Sequence, residues 1–151
     1  MGTPAPDFTL PSTSGAGVTL SSLRGKNVLL AFFPRAFTRV CTDEMCALSE
    51  DYGRFRDANT EVLPISVDAV PTLREFKAKE RLTVDLLSDS TGEVSRRYGT
   101  LIEDTLVSNR AYVLVGPDGV VSWAYSEDTP ATRRENEELL AQVLETHQRS
   151  A

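Results

Sequence analysis

Two cysteines, Cys41 and Cys46, are the residues of this 151-residue chain best suited to chemistry of their own. A thiolate is a nucleophile and a metal ligand, and its sulfur can be oxidised stepwise or paired as a disulfide. Cys41 stands where a helical pattern begins, after an apolar run (Val28 to Phe33), Pro34 and a short loop carrying Thr38. At a helix start the backbone N–H groups are unpaired and the macrodipole is positive, which favours thiolate over thiol. That placement makes Cys41 the candidate nucleophile. The bland alternative is a small buried hydrophobe, which free cysteine often is. Metal chemistry is not expected, because the two cysteines and the single histidine, His147, fall short of the about four ligands of a structural zinc site. His147 reads as a solvated helix-end residue, and two cysteines make no disulfide scaffold.

The helix that carries the cysteines is expected from Thr38 or Arg39 to about Asn59. At about 100° per residue, Met45, Leu48, Tyr52 and Phe55 fall within roughly 40° of Cys41, on an inward face over the C-terminal end of the Val28–Phe33 strand. The crevice at such strand ends is the usual place for a site in an open α/β sheet. Cys46 falls about 140° round, beside Thr42, Glu50, Gly53 and Asp57, on the face expected to meet water. Five residues apart in a helix, the two Cα atoms are roughly 8–9 Å distant, beyond the ~7 Å limit for a disulfide. A bond between them therefore requires the first turns of the helix to unwind.

The remaining elements follow from pattern. DFTL (7–10) and GVTL (17–20) flank STSGAG as an N-terminal β-hairpin. Ser21 and Ser22 can cap a single turn ending at Gly25. Val28–Phe33, nearly all apolar, suits a strand buried on both faces. Glu61–Val67 is the next strand, with Pro64 an objection to a central position. Pro71 opens a helix to about Glu80, and Val84–Leu87 is a short strand. Ser90–Tyr98 is a short helix stopped by Gly99. Arg110–Gly116 and Val120–Ser126 form a hairpin about Pro117-Asp118-Gly119. Thr129 and Pro130 start a closing helix with Leu139, Leu140, Val143 and Leu144 inward. The order spells one α/β domain over residues 1–151, a mixed sheet flanked by helices, parallel where helices cross over and antiparallel at the last hairpin.

Composition bounds the partners. The chain is 40% hydrophobic and 25% charged, with a net charge of −6. Those are the proportions of a soluble globular protein, and the acidic balance speaks against nucleic acid, which would need a basic stripe. No apolar run approaches the roughly 20 residues of a membrane span. MGTPAPDFTL lacks the features of a secretory signal, and Pro6 stands where a myristoylation signal wants Ser or Thr. A cytoplasmic location is the expectation.

PRAFTRVC fits P-x-x-x-T-x-x-C with Pro34, Thr38 and Cys41 in its fixed places, and in this it resembles the active-site pattern of the peroxiredoxins. SNRAYVLVGPDG is similar to the family's strand carrying the active-site arginine, here Arg110; APDFTLPSTSG and KNVLLAFFP extend the likeness over nearly the whole chain. AFT, the NR before the late strand, and Glu44 three residues after Cys41 look like the AhpE-type one-cysteine enzymes. The C-x4-C spacing of Cys41 and Cys46 looks like the bacterioferritin-comigratory, or PrxQ, type, although TRVC replaces that group's usual TPGC. No cysteine follows Cys46, so the dimer mechanism with a C-terminal resolving thiol is not expected.

The resemblance implies a thioredoxin-like fold and thiol-dependent reduction of hydrogen peroxide or organic hydroperoxides, with no cofactor. It implies attack of Cys41 on a peroxide oxygen to leave a sulfenic acid. Arg110, the Thr38 hydroxyl and backbone N–H groups would stabilise the breaking O–O bond, and Pro34 would wall the pocket. Glu44 would orient Arg110 or simply suit a first helical turn. Arg35 and Arg39 read as solvated charges. Cys46 would resolve the sulfenic acid as a disulfide, recycled by a thioredoxin-like or low-molecular-weight thiol reductant. The alternatives are a one-cysteine peroxidase resolved by an external thiol, and a redox sensor using the same chemistry. A thioredoxin-type dithiol enzyme would want C-x-x-C, and a pure binding module would leave Cys41 titrating as an ordinary thiol. The state expected is monomer or homodimer.

Overall fold

The computed structural model describes residues 2–103, 106–127 and 137–143, and of residues 39–41 the backbone alone. An antiparallel hairpin of β1 (Thr9–Pro11) and β2 (Gly17–Thr19) comes first, then a 3-10 turn, Leu20–Leu23. β3 (Asn27–Phe32) leads through a loop into α1 (Arg39–Glu50) and α2 (Tyr52–Asp57). β4 (Thr60–Ser66), α3 (Val70–Glu80), β5 (Leu87–Ser88) and α4 (Glu93–Arg97) follow. A two-stranded ladder of β6 (Leu101–Ile102) and β7 (Val107–Ser108) precedes β8 (Ala111–Val115) and β9 (Val121–Ser126). Residues 137–143 are helical.

The central sheet has the order β5-β4-β3-β8-β9. β3 runs parallel to β4 and β4 to β5, while β3–β8 and β8–β9 are antiparallel. All six residues of β3 are buried, as its unbroken apolar run requires of a strand covered on both sides. Its alternation divides the core. Leu29, Ala31 and Phe33 pack with Met45, Leu48, Phe55, Leu73, Phe76, Leu139, Leu140 and Val143 on the face covered by α1, α2, α3 and residues 137–143. Val28, Leu30 and Phe32 pack with Phe8, Leu10, Leu20 and Val94 under the hairpin and α4. This is the expected sandwich on a mixed sheet, with its N-terminal hairpin.

Several boundaries differ from the sequence reading, each for a physical reason. The helix expected to run unbroken to Asn59 breaks at Asp51. The Thr83 hydroxyl donates to the Ser49 carbonyl at 2.8 Å, the acceptor that Gly53 would use in a continuous helix. Pro64 sits inside β4 at no cost to the ladder. The Ile65 carbonyl faces β3, where Phe33 N–H bonds to it, so the nitrogen of Pro64 faces the opposite edge, where β5 has not yet begun. The turn expected from caps at Ser21 and Ser22 begins one residue earlier, at Leu20, and Gly25 beyond it takes a positive φ of 94°. Strand β5 starts only at Leu87, because Leu86 is engaged by Thr13 of the hairpin through both its carbonyl and its N–H. The short ladder β6–β7 was not expected from pattern. The start of the closing helix at Thr129 and Pro130, together with Leu144 and His147, lies outside the described residues.

Candidate active site

The end of β3, the loop 33–38 and the first turn of α1 meet the start of β8. The reason is register: Phe32 pairs with Ala111 and Ala31 with Tyr112, so Arg110 stands beside the point where β3 gives way to the loop. Pro34, half-buried, is the bend at that point. Asp68, just past β4, ties the loop down. Its Oδ2 accepts Ala36 N–H at 2.7 Å and the Ser66 hydroxyl at 2.8 Å. Phe37 follows with φ 66°, a left-handed conformation uncommon for a bulky side chain. Its ring, 47% exposed, rests 5.2 Å from that of fully buried Phe76, with the Lys79 ammonium 5.6 Å from its centroid. Hydrogen bonding on one side and aromatic packing on the other offset the backbone cost. Removing the anchor at Asp68→Ala is expected to lower stability by about 1–3 kcal/mol, the range for orphaning a buried donor. Urea unfolding measures that loss, and single-turnover oxidation of Cys41 should slow as the loop loosens.

Thr38 is the residue before α1, in an extended conformation, and its hydroxyl makes no cap to the helix. Instead it donates to the Arg35 carbonyl at 2.8 Å. The Thr38 carbonyl receives Thr42 N–H at 2.8 Å, the first bond of the helix. The N–H groups of residues 39–41 therefore belong to the first turn, which has no intrahelical acceptors. Cys41 lies there by its backbone; the inward direction expected of its side chain lies outside the described residues. Helix α1 is continuous from Cys41 to Cys46, so helical geometry keeps their Cα atoms about 8–9 Å apart and Cys46 is a free thiol.

Cys46 is not the water-facing residue that the helical wheel suggests. It is half-buried and packs against the main core cluster. Burial is the largest influence pushing its thiol up, and the carboxylates of Glu80, Glu50 and Asp43 add to it. The wheel misplaces Cys46 because a core cluster built from several elements packs against that flank of α1, which periodicity does not encode.

Arg110 and Glu44 form a buried ion pair, each 1% exposed, with Arg110 Nη1 2.7 Å from Glu44 Oε1. The other carboxylate oxygen, Oε2, accepts the hydroxyl of fully buried Tyr112 at 2.6 Å. Charge-assisted bonds of this length are strong, and a buried pair of this kind has direction as well as charge. Arg110 and Glu44, named from sequence, are thus brought together, alongside Pro34 and Thr38 in the loop that leads into α1. Tyr112 and Asp68 were missed. Tyr112 carried a usable signal, since it lies two residues beyond Arg110 on a strand and so on the same face. Asp68 had none, because its link to Ala36 crosses from one βα unit to another.

The chain can be placed among known proteins. The AhpC/TSA family model matches residues 1–124. Chloroplastic peroxiredoxin Q of Oryza sativa subsp. japonica is 37% identical over 127 residues, covering 83% of this chain and 58% of the rice protein, so the chain spans little more than half of that relative. Alkyl hydroperoxide reductase E of Mycobacterium tuberculosis is 39% identical over 127 residues, covering 82% of this chain and 83% of that protein. Both subgroups suggested by the motif are therefore similar to a comparable degree. The crystal structure of reduced 2-Cys peroxiredoxin from Plasmodium vivax superposes with a TM-score of 0.89 at 32% identity, covering 99% of this chain and 83% of that one. With the family's motif residues gathered at the junction of β3, α1 and β8, this chain belongs to the AhpC/TSA family and is a peroxiredoxin.

Proposed function

We propose that the protein is a thiol peroxidase in which Cys41 reduces hydroperoxides and Cys46 resolves the product. The observation that carries this is the buried Arg110–Glu44 pair set beside the helix start that bears Cys41. In the first step the Cys41 thiolate attacks one peroxide oxygen. An S–O bond forms, the O–O bond breaks, and the leaving oxygen takes a proton to depart as water or alcohol, leaving a sulfenic acid. Lowering a thiol pKa from about 8.5 to about 6 raises the thiolate fraction at pH 7 by only ~30-fold. A lower pKa also costs nucleophilicity. Each donor aimed at the charge developing on the breaking bond is worth about 10²–10³. Arg110 and the N–H groups of the first turn of α1 are therefore assigned the larger share. Thr38, its proton turned to the Arg35 carbonyl, offers the peroxide lone pairs and is assigned the role of an acceptor.

In the second step the Cys46 thiolate attacks the sulfenic sulfur; the S–S bond forms, the S–O bond breaks, and hydroxide leaves to be protonated to water. Within intact α1 this cannot occur, since the distance is too great and burial and acidic neighbours hold the Cys46 thiol protonated. Opening of the first turns relieves both obstacles. A thioredoxin-like or small thiol would then reduce the disulfide by exchange. We assign the activity to the cytoplasm, and the working unit to a monomer or homodimer.

One equivalent of peroxide followed by peptide mass mapping tests the reading: wild type should yield a Cys41–Cys46 disulfide. Cys46→Ser should instead accumulate the Cys41 sulfenic acid and, under excess peroxide, several-fold more sulfinic acid, while its first oxidation keeps the wild-type rate. A stable sulfenic acid in the wild type would make the protein a one-cysteine enzyme.

A further inference from the structure

We infer that Tyr112 is a positioning residue acting through Glu44, holding Arg110 for the peroxide step while latching α1 against the opening that disulfide formation needs. This rests on the assignment of Cys41 and Cys46 just made. Glu44 lies between the two cysteines in α1, and its carboxylate is held at both oxygens from the start of β8: Oε1 by Arg110, the residue just before the strand, at 2.7 Å, and Oε2 by Tyr112 within it at 2.6 Å. Residues 110 and 112, two apart at the start of β8 and roughly 7 Å from each other along an extended chain, both reach the one carboxylate, which has an acceptor for each. Held at two points, the carboxylate cannot swivel, and the guanidinium bound to it keeps one orientation. Strand β8 is itself fixed between β3 and β9. Phenylalanine would fill the same core volume as Tyr112. A buried hydroxyl is costly unless it is bonded, and here its bond goes to an ionised group.

The same contacts oppose the second step. The far end of α1 is stapled by Thr83, whose N–H and hydroxyl bond to the Ser49 side chain and carbonyl. Unwinding that joins Cys41 to Cys46 therefore consumes the turns before Ser49, and Glu44 is in them. Opening must draw Glu44 away from Arg110 and Tyr112 together. The contacts that set the site for peroxide are those that delay resolution.

Tyr112→Phe in the full-length protein separates the two effects, with sulfenic acid and disulfide followed by rapid-quench mass spectrometry after a single peroxide addition. Sulfenic acid formation should slow about tenfold and disulfide formation should accelerate about tenfold, as expected for loss of one hydrogen bond to a charged group. Less sulfinic acid should accumulate under excess peroxide. In a Glu44→Gln background, adding Tyr112→Phe should change each rate by less than about twofold, since the hydroxyl acts through the carboxylate. Leu10→Ala, a core truncation in the N-terminal hairpin on the opposite face of the sheet from α1, serves as the control for stability loss and should leave both rates at wild-type values. Equal rates in Tyr112→Phe and wild type, slowing of both phases, or an undiminished effect in the Glu44→Gln background would overturn the inference. A wild type that forms no Cys41–Cys46 bond would overturn the latch together with the resolving role of Cys46, while an unchanged first phase in Tyr112→Phe would overturn positioning alone.

Discussion

Cys41→Ser is expected to abolish peroxide reduction, leaving turnover indistinguishable from buffer in a coupled assay with a thiol reductant. A serine hydroxyl has the size of the thiol and fits the same first turn of α1, so the fold should survive. The loss is chemical. A thiol near neutrality supplies a few per cent or more of a strongly nucleophilic anion, whereas an alcohol at a helix start supplies essentially none. Nothing else in the chain can replace it. Cys46 is half-buried, carries a thiol pushed up by burial and by Glu80, Glu50 and Asp43, and lies on another flank of the helix. Full activity in Cys41→Ser, measured beside unchanged urea unfolding, would refute the assignment of the nucleophile. The variant also isolates Cys46, which should then remain a reduced thiol after one equivalent of peroxide.

Arg110→Met should be nearly as damaging, and in two separable ways. Methionine keeps most of the length and apolar bulk of the side chain but removes the charge and every donor. A donor aimed at developing charge in a buried site is worth about 10²–10³ in rate, and the second-order constant for oxidation of Cys41 should fall by that factor. Stability should fall too. By side chain alone, the pair is 1% exposed at the arginine and 2% at the glutamate. Removing one member of a buried pair strands the other, at a cost of about 3–5 kcal/mol. Glu44 would keep the Tyr112 hydroxyl, which lessens that cost without replacing the charge. Arg110→Met/Glu44→Gln should therefore recover part of the stability and none of the rate. Recovery of rate as well would mean that Arg110 matters only as the partner of Glu44. Arg110→Lys should remain well below wild type, because a lysine has no planar fork with which to hold the carboxylate and present donors to a peroxide at the same time.

How much of this was legible beforehand depended on the range of the interactions concerned. Local rules sufficed for β3, whose apolar run declared a strand buried on both faces, and for α3, opened by Pro71 and running to Glu80. The same rules placed Cys41 in the first turn of a helix and put Met45, Leu48 and Phe55 inward, where all three are fully buried. The motif Pro34, Thr38, Cys41, with Arg110 at the head of a strand, was enough to identify the family, since the chemistry of the site is written in residue types at short spacings.

Tertiary structure decided what depends on a second segment of chain. The break at Asp51 follows from the bonds between Thr83 and Ser49, and the half-burial of Cys46 from its packing against a core cluster built from several elements. The loop conformation at Ala36 and Phe37 is set by Asp68 and Phe76 from beyond β4. The same holds at the centre of the site. Sequence placed Glu44 three residues after Cys41, the candidate nucleophile, and left its role open between helix-start carboxylate and partner of Arg110. The antiparallel register of β3 with β8 brings Arg110 and Tyr112 onto that carboxylate. Periodicity reports which face a residue occupies, because that depends on its own helix or strand; what lies opposite is set by the packing of elements far apart in the chain.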